Sequence, residues 1–245
     1  MTVSLFLPCY VNQFYPQVGI ACLELLEKFG CRVEFPLGQT CCGQPMANSG
    51  YEHLSRSCNE LFIKNFAAYD YIVCPSGSCT LHIKDHLHSS VRETAALGIR
   101  KKIYELTEFI TDVLKPHSIP ASFPHRVGMH QSCHGQRGLH ISQMTELVSA
   151  PFSKPEYLLN MVSGLELVTL DRKDECCGFG GTFCVAEEAV SAKMGKDRVA
   201  DHLKQDVEYI TGVDMSCLMH LEGILNRRQS RVKVMHIAEI LNADR

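Results

Sequence analysis

Cys41-Cys42-Gly43-Gln44-Pro45 and Cys176-Cys177-Gly178-Phe179-Gly180-Gly181 are two versions of one Cys-Cys-Gly loop, set 135 residues apart (176 − 41). Working outward, each loop is preceded by a single cysteine, Cys9 or Cys133, and followed by another, Cys79 or Cys217. The outer pairs are offset by 124 (133 − 9) and 138 (217 − 79) residues, so order and approximate spacing hold along the whole chain. A half-length unit is written twice, each time with four thiols of its own.

The residues around the loops say what kind of unit it is. Residues 3–7 are a short apolar run with β-branched and aromatic members, and Val18, Cys22, Leu25, Leu26 and Phe29 follow at helical spacing, with Gly30 placed to cap that helix. Residues 32–35 read as a second strand, residues 54–68 as a helix, and Tyr71-Ile72-Val73 as a third strand. The third strand runs into Cys74-Pro75-Ser76-Gly77-Ser78-Cys79, where Ser78 is the expected cap of a helix opening near Cys79. The second half repeats the order: strands at 127–130, 165–170, 209–211 and 232–235, a long helix over 187–203, and another opened by Cys217.

Alternating strands and helices argue for parallel sheets. The expected fold is therefore α/β, as two tandem, pseudo-symmetric, Rossmann-like parallel-sheet modules that arose by internal duplication, over residues 1–118 and 119–245. The boundary is placed in the segment from Lys115 to His125, whose Pro116, Pro120 and Pro124 bias it toward an extended crossing. Each cysteine of the repeat then follows a strand, at the carboxyl edge where open α/β sheets bind ligands. Helix N-termini at that edge favour thiolates.

Composition removes several classes of function. A formal charge of −3, with no long run of Lys or Arg, offers no footprint for a phosphate backbone, so nucleic acid is not an expected partner. The N-terminal Met1-Thr2-Val3-Ser4-Leu5-Phe6-Leu7-Pro8 lacks the basic and long apolar regions of a signal peptide, and no apolar stretch approaches the roughly 18 residues that would insert in a membrane. The expected location is cytoplasmic. There the 13 cysteines, an odd number, point to metal rather than disulfides. Gly178, Gly180 and Gly181 do not make a dinucleotide loop, because the last glycine of that pattern would fall at Phe183.

The candidate ligands are Cys9, Cys41, Cys42 and Cys79 in the first half and Cys133, Cys176, Cys177 and Cys217 in the second. Zinc also takes four thiolates, but its structural sites are commonly built from C-x2-C knuckles, which this chain lacks. Adjacent cysteines that leave one loop in different directions suit a cluster with separated iron atoms. Two further residues are candidates. Cys74 could supply a fifth thiolate or exchange with a disulfide, and Asp214 could be a ligand, a proton relay or the cap of the helix that carries Cys217. Cys22, Cys31, Cys58 and Cys184 read as packing residues. His130, His134 and His220 lie close to the second ligand set, as donors to cluster sulfur or as replacements for a thiolate.

The duplicated pattern of a cysteine, a Cys-Cys-Gly and a downstream cysteine resembles the CCG-domain family of cysteine-rich, heterodisulfide reductase-like proteins, to which the glycolate oxidase iron-sulfur subunit also belongs, over the whole chain. Within that family, four segments are similar to the branch that oxidises L-lactate to pyruvate. They are Cys41-Cys42-Gly43-Gln44-Pro45, the run from Cys176-Cys177-Gly178 to Thr182-Phe183, Asp214-Met215-Ser216-Cys217-Leu218, and Val234-Met235-His236-Ile237-Ala238-Glu239. The resemblance implies an iron-sulfur electron-transfer subunit, with no catalytic residue assigned, that works with companion iron-sulfur and lactate-oxidation subunits. Where heterodisulfide reductase relatives carry the first cysteine of C-x-x-C, this chain has Ser76 and Asp214. Four thiols per site fit an ordinary 4Fe-4S cube, up to two in the chain, and speak against heterodisulfide chemistry. A cluster-based disulfide reductase and a zinc-bound scaffold stay open as alternatives.

Overall fold

Val3, Ser4 and Leu5 are all buried, and so are Ile72, Val73 and Cys74, which is what strands show when helices cover both faces of a parallel sheet. The computed structural model describes residues 1–244, and the chain divides into a unit over Met1–Leu114 and a second from Lys115 onward. In the first, β1 (Thr2–Leu5), β2 (Arg32–Glu34), β3 (Ile72–Cys74) and β4 (Ile103–Glu105) form a sheet in the order β2-β1-β3-β4, with every pairing parallel. In the second, β5 (Arg126–His130), β6 (Glu166–Val168), β7 (Tyr209–Gly212) and β8 (Lys233–His236) repeat that plan as β6-β5-β7-β8, again all parallel. The expected α/β class and the pair of similar parallel-sheet modules are both found.

This strand order creates a crevice. From β1 the chain crosses to β2 on one side and then returns past β1 to β3 on the other, so the connections diverge at the carboxyl ends of β1 and β3. The same divergence occurs between β5 and β7. Cys9 opens the helix that follows β1 and Cys79 lies in the first turn of the helix that follows β3, while Cys133 comes just after β5 and Cys217 lies in the first turn of the helix Met215–Arg227 after β7.

Local sequence sets the helix limits. The helix Pro16–Lys28 starts on proline, buries Val18, Ala21, Cys22, Leu25 and Leu26 along one stripe, and ends at Gly30 with φ +79°. There Gly30 N–H donates to the Glu27 carbonyl and Cys31 N–H to the Leu26 carbonyl, the paired bonds that satisfy a helix end. Ser78 is not the cap of the next helix. That helix, Gly77–His86, is capped by Ser76, whose hydroxyl accepts from Cys79 N–H at 3.2 Å, so the helix begins before Cys79 and fixes its backbone.

Three other features differ from the sequence reading. The helix expected over 54–68 is a 3-10 turn, Glu52–Ser55, followed by an α-helix, Arg56–Phe66. β4 was not expected, because three residues carry no periodicity. It pairs in parallel with β3 and runs into a capping box in which the Glu105 carboxyl group accepts from Thr107 and Glu108 N–H and the Glu108 side chain accepts from Glu105 N–H. His236 and Glu239 form the same box after β8. The proline-rich segment is tied to the second unit: Phe123 N–H donates to the Ser163 carbonyl and Ser163 N–H to that of Ala121. Among the described residues, no helix is long and apolar enough to cross a membrane.

Candidate metal centres

Three loops of the first module bring its four cysteines together. The Cys41 and Cys9 sulfurs are 4.0 Å apart, those of Cys42 and Cys79 are 3.4 Å apart, and the Cys42 thiol donates to Cys41. The thiols therefore run as a string, Cys9, Cys41, Cys42, Cys79. The second module repeats it: the Cys133 and Cys176 sulfurs are 3.9 Å apart, Cys176 is hydrogen-bonded to Cys177, and Cys177 is hydrogen-bonded to Cys217. Cys42, Cys79, Cys177 and Cys217 are buried, and the other four are partly exposed at the mouth.

Backbone geometry explains the glycine after each cysteine pair. Gly43 has φ +95° and Gly178 φ +86°, left-handed values that a side chain resists. In that conformation each N–H points back at the preceding sulfur, Gly43 to Cys41 and Gly178 to Cys176, both at 3.4 Å. A Cβ at Gly43 would lie 2.8 Å from that of Ser55, and one at Gly178 would lie 2.7 Å from the Ser191 carbonyl oxygen. The loops are thus held against the helices behind them with no room for a methyl group.

The donor set fits a thiolate-bound metal group. Hydrogen bonds from Cys42, Cys9 and Gly43 N–H hold the Cys41 thiol well below its usual pKa, and bonds from Cys133, Cys177 and Gly178 do the same for Cys176. Their neighbours Cys9, Cys42, Cys133 and Cys177 are pushed up, chiefly by donating to those anions. One anion per string is stable as it stands, and the other thiols must give up protons when a metal binds.

Other predicted residues fall in and around these centres. Cys74 is fully buried at the end of β3, with its sulfur 3.8 Å from the Ser76 carbonyl oxygen, and Gly212 holds the matching place in the second module. Asp214 occupies the N-cap position of the helix Met215–Arg227 but does not cap it with its side chain; its carboxylate accepts from the Ser132 hydroxyl at 2.6 Å. His130 is buried beside Cys177 and Cys217. His220 lies against the Ser191 carbonyl at 3.4 Å.

His82 was missed in the sequence, although the repeat marks it. It follows Cys79 by three residues, as His220 follows Cys217. It is buried, stacks on His86 at 5.1 Å, and is held down to about 4 by burial and by His86. A neutral imidazole therefore stands behind each string.

The family model for the CCG cysteine-rich domain matches residues 3–84 and again residues 127–222, so that each match spans one complete string. The chain belongs to the CCG cysteine-rich domain family. Curated relatives match this CCG-domain chain from end to end. Lactate utilization protein A of Geobacillus kaustophilus is 41% identical over 247 residues, covering 99% of both chains. Lactate utilization protein A of Bacillus subtilis is 40% identical, covering 99% of this chain and 100% of its own. Among solved structures, a hypothetical protein from Helicobacter pylori shares the fold with a TM-score of 0.62 at 11% identity; the match covers 98% of this CCG chain and 48% of that one.

Proposed function

We propose that this chain is an iron-sulfur electron-transfer subunit of an L-lactate-oxidising system, in which companion subunits bind lactate and complete its oxidation to pyruvate. End-to-end similarity to lactate utilization protein A supports the lactate assignment. The observation that carries the metal assignment is the open string of thiols. A single tetrahedral zinc ion with Zn–S bonds of about 2.3 Å sets every pair of its thiolates about 3.8 Å apart. Among the described residues, however, no three thiols of either string lie within 4.8 Å of one another. Four thiols spread in this way suit a group with separated iron atoms, such as a 4Fe-4S cube, one in each module.

Cys9, Cys41, Cys42 and Cys79 would hold the first group and Cys133, Cys176, Cys177 and Cys217 the second. Such a group takes up and releases one electron at a time. The protein's part is to keep the thiolates in place, to direct the Gly43 and Gly178 N–H groups at sulfur, and to shield Cys42 and Cys79, and Cys177 and Cys217, from water. Lactate gives up two electrons, so two one-electron sites match the stoichiometry of the reaction.

Zinc is the second reading, because neighbouring sulfurs at 3.4–4.0 Å bracket a zinc-thiolate edge. One experiment separates the two: iron, acid-labile sulfide and zinc content with EPR spectra on anaerobically purified protein, alongside Cys41→Ser and Cys176→Ser. Two clusters lost one at a time are expected. Stoichiometric zinc with no sulfide and no reducible signal would sink the electron-transfer role.

A further inference from the structure

The two modules are not equivalent behind their thiols. His130 ends β5 three residues ahead of Cys133, and Phe6 stands three residues ahead of Cys9. Their backbones occupy matching places. Phe6 N–H bonds to the Val73 carbonyl alongside β3, while His130 pairs with Gly212 at the end of β7, and Cys74 and Gly212 each precede the last cysteine of their set by five residues.

The surroundings of these two residues differ in kind. Phe6 packs edge-on against Phe62 and Phe66, at 4.8 and 5.6 Å between ring centres, and all three belong to the apolar core. In the second module the helix Glu188–Lys204 presents Arg198 and His202, also four residues apart and fully buried; Arg198 acts electrostatically on His130, and His130 on His202. Gly128 lies two residues before His130, on the same face of β5. Its missing side chain makes room for His202, since a Cβ there would lie 2.4 Å from Nδ1. An apolar triad in one module is thus a nitrogen-rich triad in the other.

His130 is 1% exposed, and neither ring nitrogen has a hydrogen-bond partner. A buried imidazole with both nitrogens unsatisfied is costly unless something absent from the protein itself engages it. One of those nitrogens lies with the sulfurs of Cys177 and Cys217 in a buried group whose members are all within 4.8 Å of one another. Metal bonds run about 2.1 Å to nitrogen and about 2.3 Å to sulfur, so this nitrogen is within reach of a metal atom held by Cys177 or by Cys217.

We infer that His130 is a metal ligand of the second site alone, binding through a ring nitrogen beside Cys177 and Cys217, so that the two modules hold metal groups with different ligand sets. This rests on the proposal above only in that the second site binds metal. His130 adds a neutral nitrogen donor beside four thiolates, so the two sites differ in ligand type and not in ligand charge, and their reduction potentials differ. His130 offers this in a position where Phe6 offers nothing.

The test uses the full chain, purified anaerobically, as wild type, His130→Phe and His130→Gln, with circular dichroism to confirm that each variant folds. Phenylalanine is the residue that the first module accepts at this position, and glutamine retains polarity. In the reduced wild type, pulsed EPR is expected to show nitrogen coupling on one of two cluster signals. In His130→Phe that coupling disappears and the transition of the same cluster shifts in potential, while the other transition stays in place. No nitrogen coupling in the wild type, or coupling that survives in both variants, would overturn the inference. Should the protein carry zinc alone, the cluster reading fails, and X-ray absorption at the zinc edge decides the role of His130. A nitrogen ligand lost in His130→Phe upholds it, and an all-sulfur shell in the wild type refutes it.

Discussion

The Ser132 hydroxyl donates to the Asp214 carboxylate over 2.6 Å, tying the loop after β5 to the start of the helix after β7. Asp214 is 2% exposed, so its oxygens depend on donors supplied by the protein. Ser132→Ala should lower stability by about 1–3 kcal/mol, the cost of leaving a buried acceptor without its donor. Chemical denaturation of metal-free protein measures this, and a loss below about 0.5 kcal/mol would show that Asp214 draws its support elsewhere.

Gly43→Ala and Gly178→Ala each force a side chain into a left-handed backbone and into an occupied space. The conformation alone costs about 1–2 kcal/mol. Because each loop belongs to its own module, each variant is expected to lose the metal of one site and keep the other, halving the metal content. Full occupancy in both variants would mean that the loops can re-form without the N–H contact to sulfur.

Acid should weaken the protein before most carboxylates titrate. Burial holds His130 down to about 3 and His82 to about 4, and pushes His202 well below its usual value. For groups whose folded-state pKa is depressed, the unfolded chain binds the extra proton, so stability is fully present above about 6.5 and is lost as pH falls through the folded values. The urea midpoint of metal-free protein should therefore drop steadily from pH 7 to pH 5. A flat profile over that range would mean that these rings are already charged in the folded state.

Glu105 has the opposite sign. Complete burial raises its carboxyl to about 8, despite the bonds it accepts from Thr107 and Glu108. The folded state then holds a proton that the unfolded chain has released above about 4.5, so stability declines as pH rises from there toward 8. Glu105→Gln keeps an acceptor for the capping bonds and removes the ionisation. It should match the wild type near pH 5 and exceed it at pH 9 in a thermal melt. Equal melting temperatures at pH 9 would refute this.

The parts of the fold that could be read in the chain are those with long or repeated signals. The stripe Val18, Ala21, Cys22, Leu25 and Leu26 shows a helix by periodicity, and Gly30 shows where it stops. β4 could not be read that way, because three residues sample no period and the capping box of Glu105 and Glu108 is a signal about the next turn. The cap before Cys79 was placed two residues late because Ser76 and Ser78 are equally good acceptors in sequence; backbone direction alone chose Ser76.

Residue type, order and spacing already specify two α/β modules with four thiols each, since periodicity and a repeated cysteine pattern are properties of the chain itself. Distances between residues far apart in sequence are not. Folding turns the eight cysteines into two open strings, turns Asp214 toward Ser132, and leaves His130 with two unsatisfied nitrogens where Phe6 has none to satisfy. Parallel pairing across the crossovers does this, because it sets the ends of β1 and β3, and of β5 and β7, side by side and brings each Cys-Cys-Gly loop to that edge.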